Sequence, residues 1–354
     1  MISKAPARVC LFGDHQDYLG LPVIACAINK YIVVEGAPNN TNYLIFNLTD
    51  LDQIVEINLD EDFSSLKKGD HVRHVIKTLK NNNININKGY DIKISSDIFI
   101  NAGISSSSAF TVALISFFIK IFDSKISSEE LVAELAYQSE VVDQGGSGGR
   151  MDQYSISIGN TIFLETKSAF SFKKINNPIK NFIIANSGVK KQTDLILKNL
   201  KNKTINAVNT IKLKNPSFNL NKASIKGIYE YENQLSKTSF NYIKAAVENH
   251  SITQAAYLEM TKKIPNFNNI GELMNRHHDI LKNDLSITVP LIDEMIDSAL
   301  KNGAYGAKII GSGGGGSILI LSNEKDQNKL INAMYSAGAK EVVKANVSVG
   351  IFSL

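Results

Sequence analysis

Cysteine is scarce in this chain: Cys10 and Cys26 are the two among 354 residues. Each lies inside an apolar run, VCLF and IACAI, with no CxxC spacing and no second pair to build a metal site, so reduced core thiols are expected. An excess of one charge is lacking too. Lys and Arg number 38 against 34 Asp and Glu, and the formal net charge of +4 is too small to demand nucleic acid or a membrane as partner. The densest basic stretch, Lys198 to Lys214, alternates with Asn and Thr rather than aromatics, which reads as a solvated helix surface. Long apolar runs are missing as well. The most apolar stretch, Phe110 to Phe122, is too short to span a bilayer, and MISKAPARVCLFGDH lacks the apolar core of a signal peptide, so a cytoplasmic chain is expected.

What is present is ordinary globular material, 44% hydrophobic and 20% charged, which excludes a collagen-like, coiled-coil or disordered chain. The length exceeds the usual size of one hydrophobic core and predicts two domains, residues 1–170 and 171–354. Short strands are expected at Arg8 to Phe12, Tyr31 to Glu35, Tyr43 to Asn47, Ile54 to Leu59 and Tyr90 to Ser95, with a helix at His71 to Lys80. The segment from Asn101 to Phe122 is a small-residue turn opening into an apolar helix. A second helix, capped by Ser127 with Glu130, is expected to run to about Asp143, where GGSGG stops it. Further on, a strand at Phe182 to Ala185 precedes a Lys-rich helical middle and helices near Thr253 to Lys262, Ile270 to Lys282, Pro290 to Asn302 and Lys325 to Ala337. Strands at Ala307 to Ile310 and Ser317 to Leu321 flank a glycine loop, and a last strand lies near Val347.

That loop, GSGGGGS from Gly311 to Ser317, contains GxGxxG, but a strand follows it where a dinucleotide fingerprint needs a helix, and no Gly-Lys-Ser/Thr ending makes a P-loop. It reads as a glycine hairpin, either a plain turn or one whose backbone approaches a ligand closely. Gly103 to Ser108 poses a similar choice, because a serine cluster at a helix start caps the helix or cradles phosphate on its unpaired N–H groups. Glu140 shares a helical stripe with Ala133, Ala136 and Tyr137, so a partly buried carboxylate is expected there, paired with a cation side chain or with a divalent metal. Asp152 follows a glycine-rich turn and reads as a helix cap or a chemical group. In GDHQDYLG, Asp14, His15 and Asp17 form an Asp-rich turn or a set of hydrogen-bonding groups for a polyhydroxylated ligand. Arg8 alternates with Cys10 and Phe12 on an apolar strand and, if buried, needs an acidic or phosphate partner.

Four segments together resemble a known family. ARVCLFGDHQDYLG resembles the sugar-binding signature of galactokinases, GISSSSA the phosphate loop of the wider GHMP kinase superfamily, GGRMDQ the galactokinase segment with the catalytic aspartate, and GAYGAKIIGSGGGGS the superfamily's third motif. They occur in the family's order, and the approach Glu272 to Leu300 is also galactokinase-like. The resemblance implies an α+β, two-domain GHMP kinase fold with a ribosomal-protein-like N-terminal domain and a ferredoxin-like C-terminal domain. It implies an ATP-dependent kinase acting on the anomeric hydroxyl of a sugar, galactose first, with Mg²⁺. By position, Asp152 and Arg8 would be catalytic; Asp14, His15, Asp17 and Gly149 would hold sugar; Gly103, Ser105, Ser106, Ser107, Ser108, Gly311, Gly313 and Gly314 would hold nucleotide; Ser107 and Glu140 would hold the metal. A monomer or weak homodimer is expected. Asp14 stands where the family has glutamate, NSGVKKQTDL lacks a match to the family's sugar-contacting tyrosine, and the chain is short for a galactokinase. Another sugar, mevalonate, or a catalytically silent sensor are the alternatives, with Asp14, His15 and Asp17 favouring a polyol over a carboxylate and the uninterrupted GISSSSA favouring an enzyme.

Overall fold

The computed structural model describes residues 1–99, 102–122, 128–167, 170–176, 179–190 and 193–353. Its first half runs β1 (Ile2–Phe12), β2 (Val23–Pro38), β3 (Tyr43–Leu48), β4 (Gln53–Asn58), α1 (His71–Asn81), β5 (Tyr90–Ser96), α2 (Ser106–Phe122), α3 (Glu129–Tyr137), α4 (Met151–Ile158), β6 (Thr161–Glu165) and β7 (Ser171–Ile175). The second runs β8 (Asn181–Asn186), α5 (Thr193–Lys214), α6 (Ile225–Ile228), α7 (Lys237–Met260), α8 (Phe267–Asp279), α9 (Pro290–Lys301), β9 (Gly306–Ile309), β10 (Ser317–Leu321), α10 (Gln327–Ser336), β11 (Glu341–Asn346) and β12 (Phe352–Ser353). The strands form two sheets. One has the order β12-β1-β2-β5-β3-β4, with β6 and β7 joined to the first part of β2; the other is β11-β8-β10-β9. The first sheet thus takes in β7, beyond residue 170, and a C-terminal strand that returns to pair with β1. This is the mixed α+β layering expected of the chain.

The strand β1 decides where the site lies. Alternation along it sends Ala5, Ala7, Val9 and Leu11 to one face, where they join the main core with α2. Cys10 points the other way, into a smaller cluster with Met151, Tyr154 and Ile158 of α4. By the same period Arg8 shares the face covered by α4. A register shift between Pro6 and Ala7 absorbs a proline that a regular ladder could not hold.

Two elements differ from the sequence expectations in instructive ways. The expected cap Ser127 lies outside the described residues, and α3 is capped instead by Ser128, whose hydroxyl accepts from Leu131 N at 3.4 Å. The helix expected near Thr253 begins much earlier, at Lys237, behind an N-cap at Ser236. Its polar middle broke the apolar period because Asn249 is buried there for a polar contact, described below.

The helix α2 is buried from Thr111 to Ile119 and carries Phe117 against Tyr90 and Phe118, with ring centroids 6.2 and 5.6 Å away. A Cβ at Gly36 would strike the same ring. Phe117→Ala is therefore expected to cost about 3–5 kcal/mol of stability in urea unfolding. A loss below about 1 kcal/mol would show that this ring is not a keystone of the core.

Candidate active site

Arg8 is buried on β1, and its guanidinium forks onto Asp152 in the first turn of α4: Nε donates to Oδ1 at 2.7 Å and Nη2 to Oδ2 at 2.8 Å. Nη1 donates to the carbonyl of Gly103 at 2.9 Å. Ser105, held at φ +61° just before α2, donates its hydroxyl to Asp152 Oδ2 at 2.5 Å. Burial opposes the Arg8 charge, but the Asp152 carboxylate outweighs it and raises the guanidinium pKa further. The helix-cap reading of Asp152 does not hold: Arg150 occupies the N-cap position of α4, and both Asp152 oxygens are turned to Arg8 and Ser105.

Asp152 faces a cavity of about 640 Å³, which Arg8, Asp14, His15, Asp17 and Gly149 also line. Asp17 Oδ1 accepts from Tyr18 N at 2.9 Å and Oδ2 from Met151 N at 3.2 Å, so the loop after β1 is tied to the start of α4. Any side chain on Gly149 would collide with the Asp17 carboxylate. His15 Nδ1 lies 3.1 Å from the Tyr18 hydroxyl. Asp14 is different: it is only 2% exposed, and its Oδ2 is held by Lys308 Nζ at 2.6 Å. Burial raises the pKa of Asp17, the neighbouring Asp152 charge adds to this, and the two backbone donors only partly offset them, leaving it at about 6.

The small-residue loops divide. Ser107 and Ser108 line this cavity, and Ser106 and Ser107 line a second one. Gly103 and Ser105 do not line either cavity; their carbonyl and hydroxyl are spent on Arg8 and Asp152. In the glycine hairpin, Gly311 and Ser312 reach the cavity. Gly313 and Gly314 do not line it: Gly314 N donates to Ile287 O at 2.7 Å, and a Cβ on Gly313 would strike Ile287. Those glycines let two backbones approach each other. Glu140 also lines the cavity, from a π-helical turn (Gln138–Val142) that continues α3, and its Oε2 accepts from Gln153 Nε2 at 2.6 Å. The stripe read with it is sound for Ala133 and Ala136, which are fully buried.

Sequence reasoning missed Lys68, His71 and Gln144, which line the cavity from the start of α1 and from the turn before α4. It also missed the second cavity, about 660 Å³, which shares Gly69, His71 and Ser107 with the first and is walled by Leu48, Val55, Ile94 and Phe110. Its walls come from β2, β3, β4, β5, α1 and α2, with no motif to announce them. Among the described residues no cluster of three or more His, Cys, Asp or Glu is arranged to hold a metal, and no helix is long and apolar enough to cross a membrane.

The cavity therefore sets a fork-bound aspartate beside a helix start and is lined from both halves of the chain, and the comparisons with known proteins give it a family. The GHMP kinases N terminal domain matches residues 70–160, the GHMP kinases C terminal model residues 260–340, and the galactokinase galactose-binding signature residues 1–38. The chain belongs to the GHMP kinases, and it is an ATP-dependent kinase of a small molecule. Its fold is their two-domain one. It is 29% identical to a galactokinase of Actinobacillus succinogenes, over 90% of this chain and 84% of that protein. It is 28% identical to a mevalonate kinase of Methanocaldococcus jannaschii, over 94% and 96%. Among solved structures, Lactococcus lactis galactokinase complexed with galactose superposes with a TM-score of 0.90 at 20% identity, over 100% of this chain and 95% of that one. The mevalonate kinase of Methanococcus jannaschii gives 0.74 at 25%, over 98% of both.

The crowding of Asp17 is directly measurable. A carboxyl-carbon NMR titration should place its midpoint near pH 6, and Asp152→Asn should move it down. A midpoint below 4 in the wild type would show that neither burial nor Asp152 acts on it. Because the folded value lies above the unfolded one of about 3.9, this group's stabilisation is complete below about pH 4 and is lost as pH rises through 6.

Proposed function

We propose that the chain transfers the γ-phosphoryl group of ATP to the anomeric hydroxyl of a monosaccharide, galactose being the first candidate. The observation that carries this reading is the meeting of Asp14, His15 and Asp17, all inside the matched galactose-binding signature, with Asp152 in one cavity. A sugar offers several hydroxyl donors, and Asp17 offers a carboxylate that accepts from two. The mevalonate kinases among the relatives supply the second reading. Against it stand the charges: four carboxylates, Asp14, Asp17, Glu140 and Asp152, line the cavity against two cations, Lys68 at the nucleotide end and Arg8, which is already committed to Asp152. A substrate carboxylate would meet repulsion there.

On this reading Asp152, held by the Arg8 fork, accepts the attacking hydroxyl on Oδ1, the oxygen that also receives the Arg8 Nε bond. Phosphoryl transfer needs positioning and charge stabilisation more than covalent chemistry. Ser107 and Ser108 at the start of α2 offer hydroxyls and helix N–H groups to the phosphates, and Lys68 brings positive charge. The second cavity, apolar on its walls and continuous through Ser107, suits the base of the nucleotide. Ser107 and Glu140 fit Mg²⁺, since this ion is bound by one or two protein oxygens together with substrate phosphates, and Gln153 holds one Glu140 oxygen while leaving the other. Bound there, Mg²⁺ would neutralise charge on the phosphates.

Four measurements decide the matter. A panel of galactose, N-acetylgalactosamine, arabinose, fucose, glucose and mevalonate, read by ADP release, should give one sugar whose product resists borohydride because C1 carries the phosphate. Turnover of mevalonate and of no sugar would overturn the reading. With the sugar found, Asp152→Asn should lower kcat by roughly a hundredfold or more with KM for ATP nearly unchanged, whereas near-normal turnover would remove Asp152 from the chemistry. Glu140→Gln and Ser107→Ala should each raise the Mg²⁺ concentration for half-maximal rate. In the wild type, kcat/KM for the sugar should fall below about pH 6 as Asp17 takes a proton and ceases to accept.

A further inference from the structure

Lys308 sits on β9, in the second sheet, with its side chain fully buried. A buried ammonium must be paired, and Lys308 Nζ donates to Cys10 O at 3.0 Å and to Asp14 Oδ2 at 2.6 Å. Both acceptors belong to the end of β1 and the loop that follows it, nearly 300 residues away in sequence. The same loop is gripped from two more elements of the second half. From α7, Asn249 Nδ2 donates to the Asp14 carbonyl at 2.9 Å. From α8, His277 Nε2 approaches Asp14 Oδ2 at 3.8 Å, its ring stacked on Phe12. The other Asp14 oxygen, Oδ1, is buried with no hydrogen-bond partner, although Asp14 lines the cavity.

We propose that Lys308 is the positioning residue for the acceptor substrate: it spends one oxygen of Asp14, fixes the carboxylate in the cavity wall, and leaves Oδ1 as the acceptor for one substrate hydroxyl. The inference rests on the sugar reading above and deepens it. Asp14 carries one methylene fewer than glutamate, so Oδ1 has little freedom to move while Oδ2 remains on Lys308. It therefore recognises a hydroxyl at one fixed depth. A ligand lacking that hydroxyl leaves a buried acceptor unmatched. Because Lys308 and Asp14 come from different sheets, acceptor recognition also depends on how the two sheets are seated.

The electrostatics agree with the geometry. Burial would raise the Asp14 pKa, but Lys308 and then His277 overcome it and hold it at about 2. His277 is itself lowered to about 3 by burial and by Lys308, so it is neutral. The remaining groups that act on or respond to Asp14 are His15, Arg8, Cys10 and Tyr18. None of these replaces Lys308. Without it the folded protein should take up one proton, on Asp14 or on His277, at a pH where the wild type takes none.

The experiment uses Lys308→Met, Asp14→Asn and the double variant, whose neutral pair removes the unpaired charge and protects folding. With the sugar identified by the panel, Lys308→Met should raise its KM at least tenfold while KM for ATP changes less than twofold. It should also add an ionisation to the pH profile of kcat/KM that the wild type and the double variant lack. A lower melting temperature with an unchanged KM for sugar and no new ionisation would reduce Lys308 to a structural strut and overturn the proposal. An arm without substrate keeps the two readings apart. The melting temperature of Lys308→Met, taken relative to the double variant, should fall progressively as pH rises from 4 to 8, since the cost of the unpaired carboxylate appears as its proton leaves. If the wild type phosphorylates no sugar, the sugar reading fails by itself, and a flat difference in this second arm overturns the Lys308 assignment independently.

Discussion

The Arg8 to Asp152 fork is the contact on which the site depends. It joins β1 to α4, and through Gly103 O and the Ser105 hydroxyl it also fixes the turn that opens α2. Three elements that each could pack in several ways are thereby given one relative position. A single planar cation does this because five N–H groups in fixed directions can serve a carboxylate with two and a carbonyl with a third. Fixing the turn before α2 also fixes where its first N–H groups point, so the acid and the helix start cannot drift independently. Lysine could supply the charge but not this geometry.

Around that fork the carboxylates are graded by what they touch. Asp152 is paired with Arg8, Asp14 with Lys308, and Asp17 with backbone N–H groups alone. Burial raises both Asp14 and Asp17, but Asp17 has the weakest compensation and lies beside Asp152, which is why it is the carboxylate pushed up to about 6 while Asp14 is held at about 2. The same residue type thus serves as a fixed charge or as a group near its titration point according to its partner. Gly149 belongs to this arrangement, since the absence of its side chain is what lets Asp17 lie against the turn before α4.

Much of this was legible in the sequence, and the rest was hidden for identifiable reasons. A charge alternating with apolar residues marked Arg8 as needing an acidic or phosphate partner, and the structure supplies an acidic one. The same signal existed at Lys308, between Ala307 and Ile309, but a four-residue strand gives too short a period to make one polar residue stand out. The serine loop was visible, yet which serine serves the ligand and which serves Asp152 depends on the left-handed turn at Ser105, which no composition encodes. The glycine hairpin was correctly placed between strands, while the use of Gly314 N by Ile287 is a long-range contact beyond any local pattern. The long α7 was truncated by its buried Asn249, a residue polar for the sake of Asp14 rather than of the helix. Local patterns show elements; the partners of buried polar groups need the fold.

These partners also give the cavity a direction. Its Asp14 and Asp17 end presents acceptors on carboxylates, suited to neutral donors, whereas the end at Ser107 and Ser108 presents the N–H groups of a helix start, suited to anions. Asp152 lies between, tied by Arg8 to one side and by Ser105 to the other. A neutral polyol and a polyanionic nucleotide would each be repelled or left unmatched if exchanged between these ends. On the proposed reading, the order of charges along the cleft selects both the two reactants and the way round in which they meet. That order is held by two long-range ion pairs, Arg8 with Asp152 inside the first half and Lys308 with Asp14 between the halves.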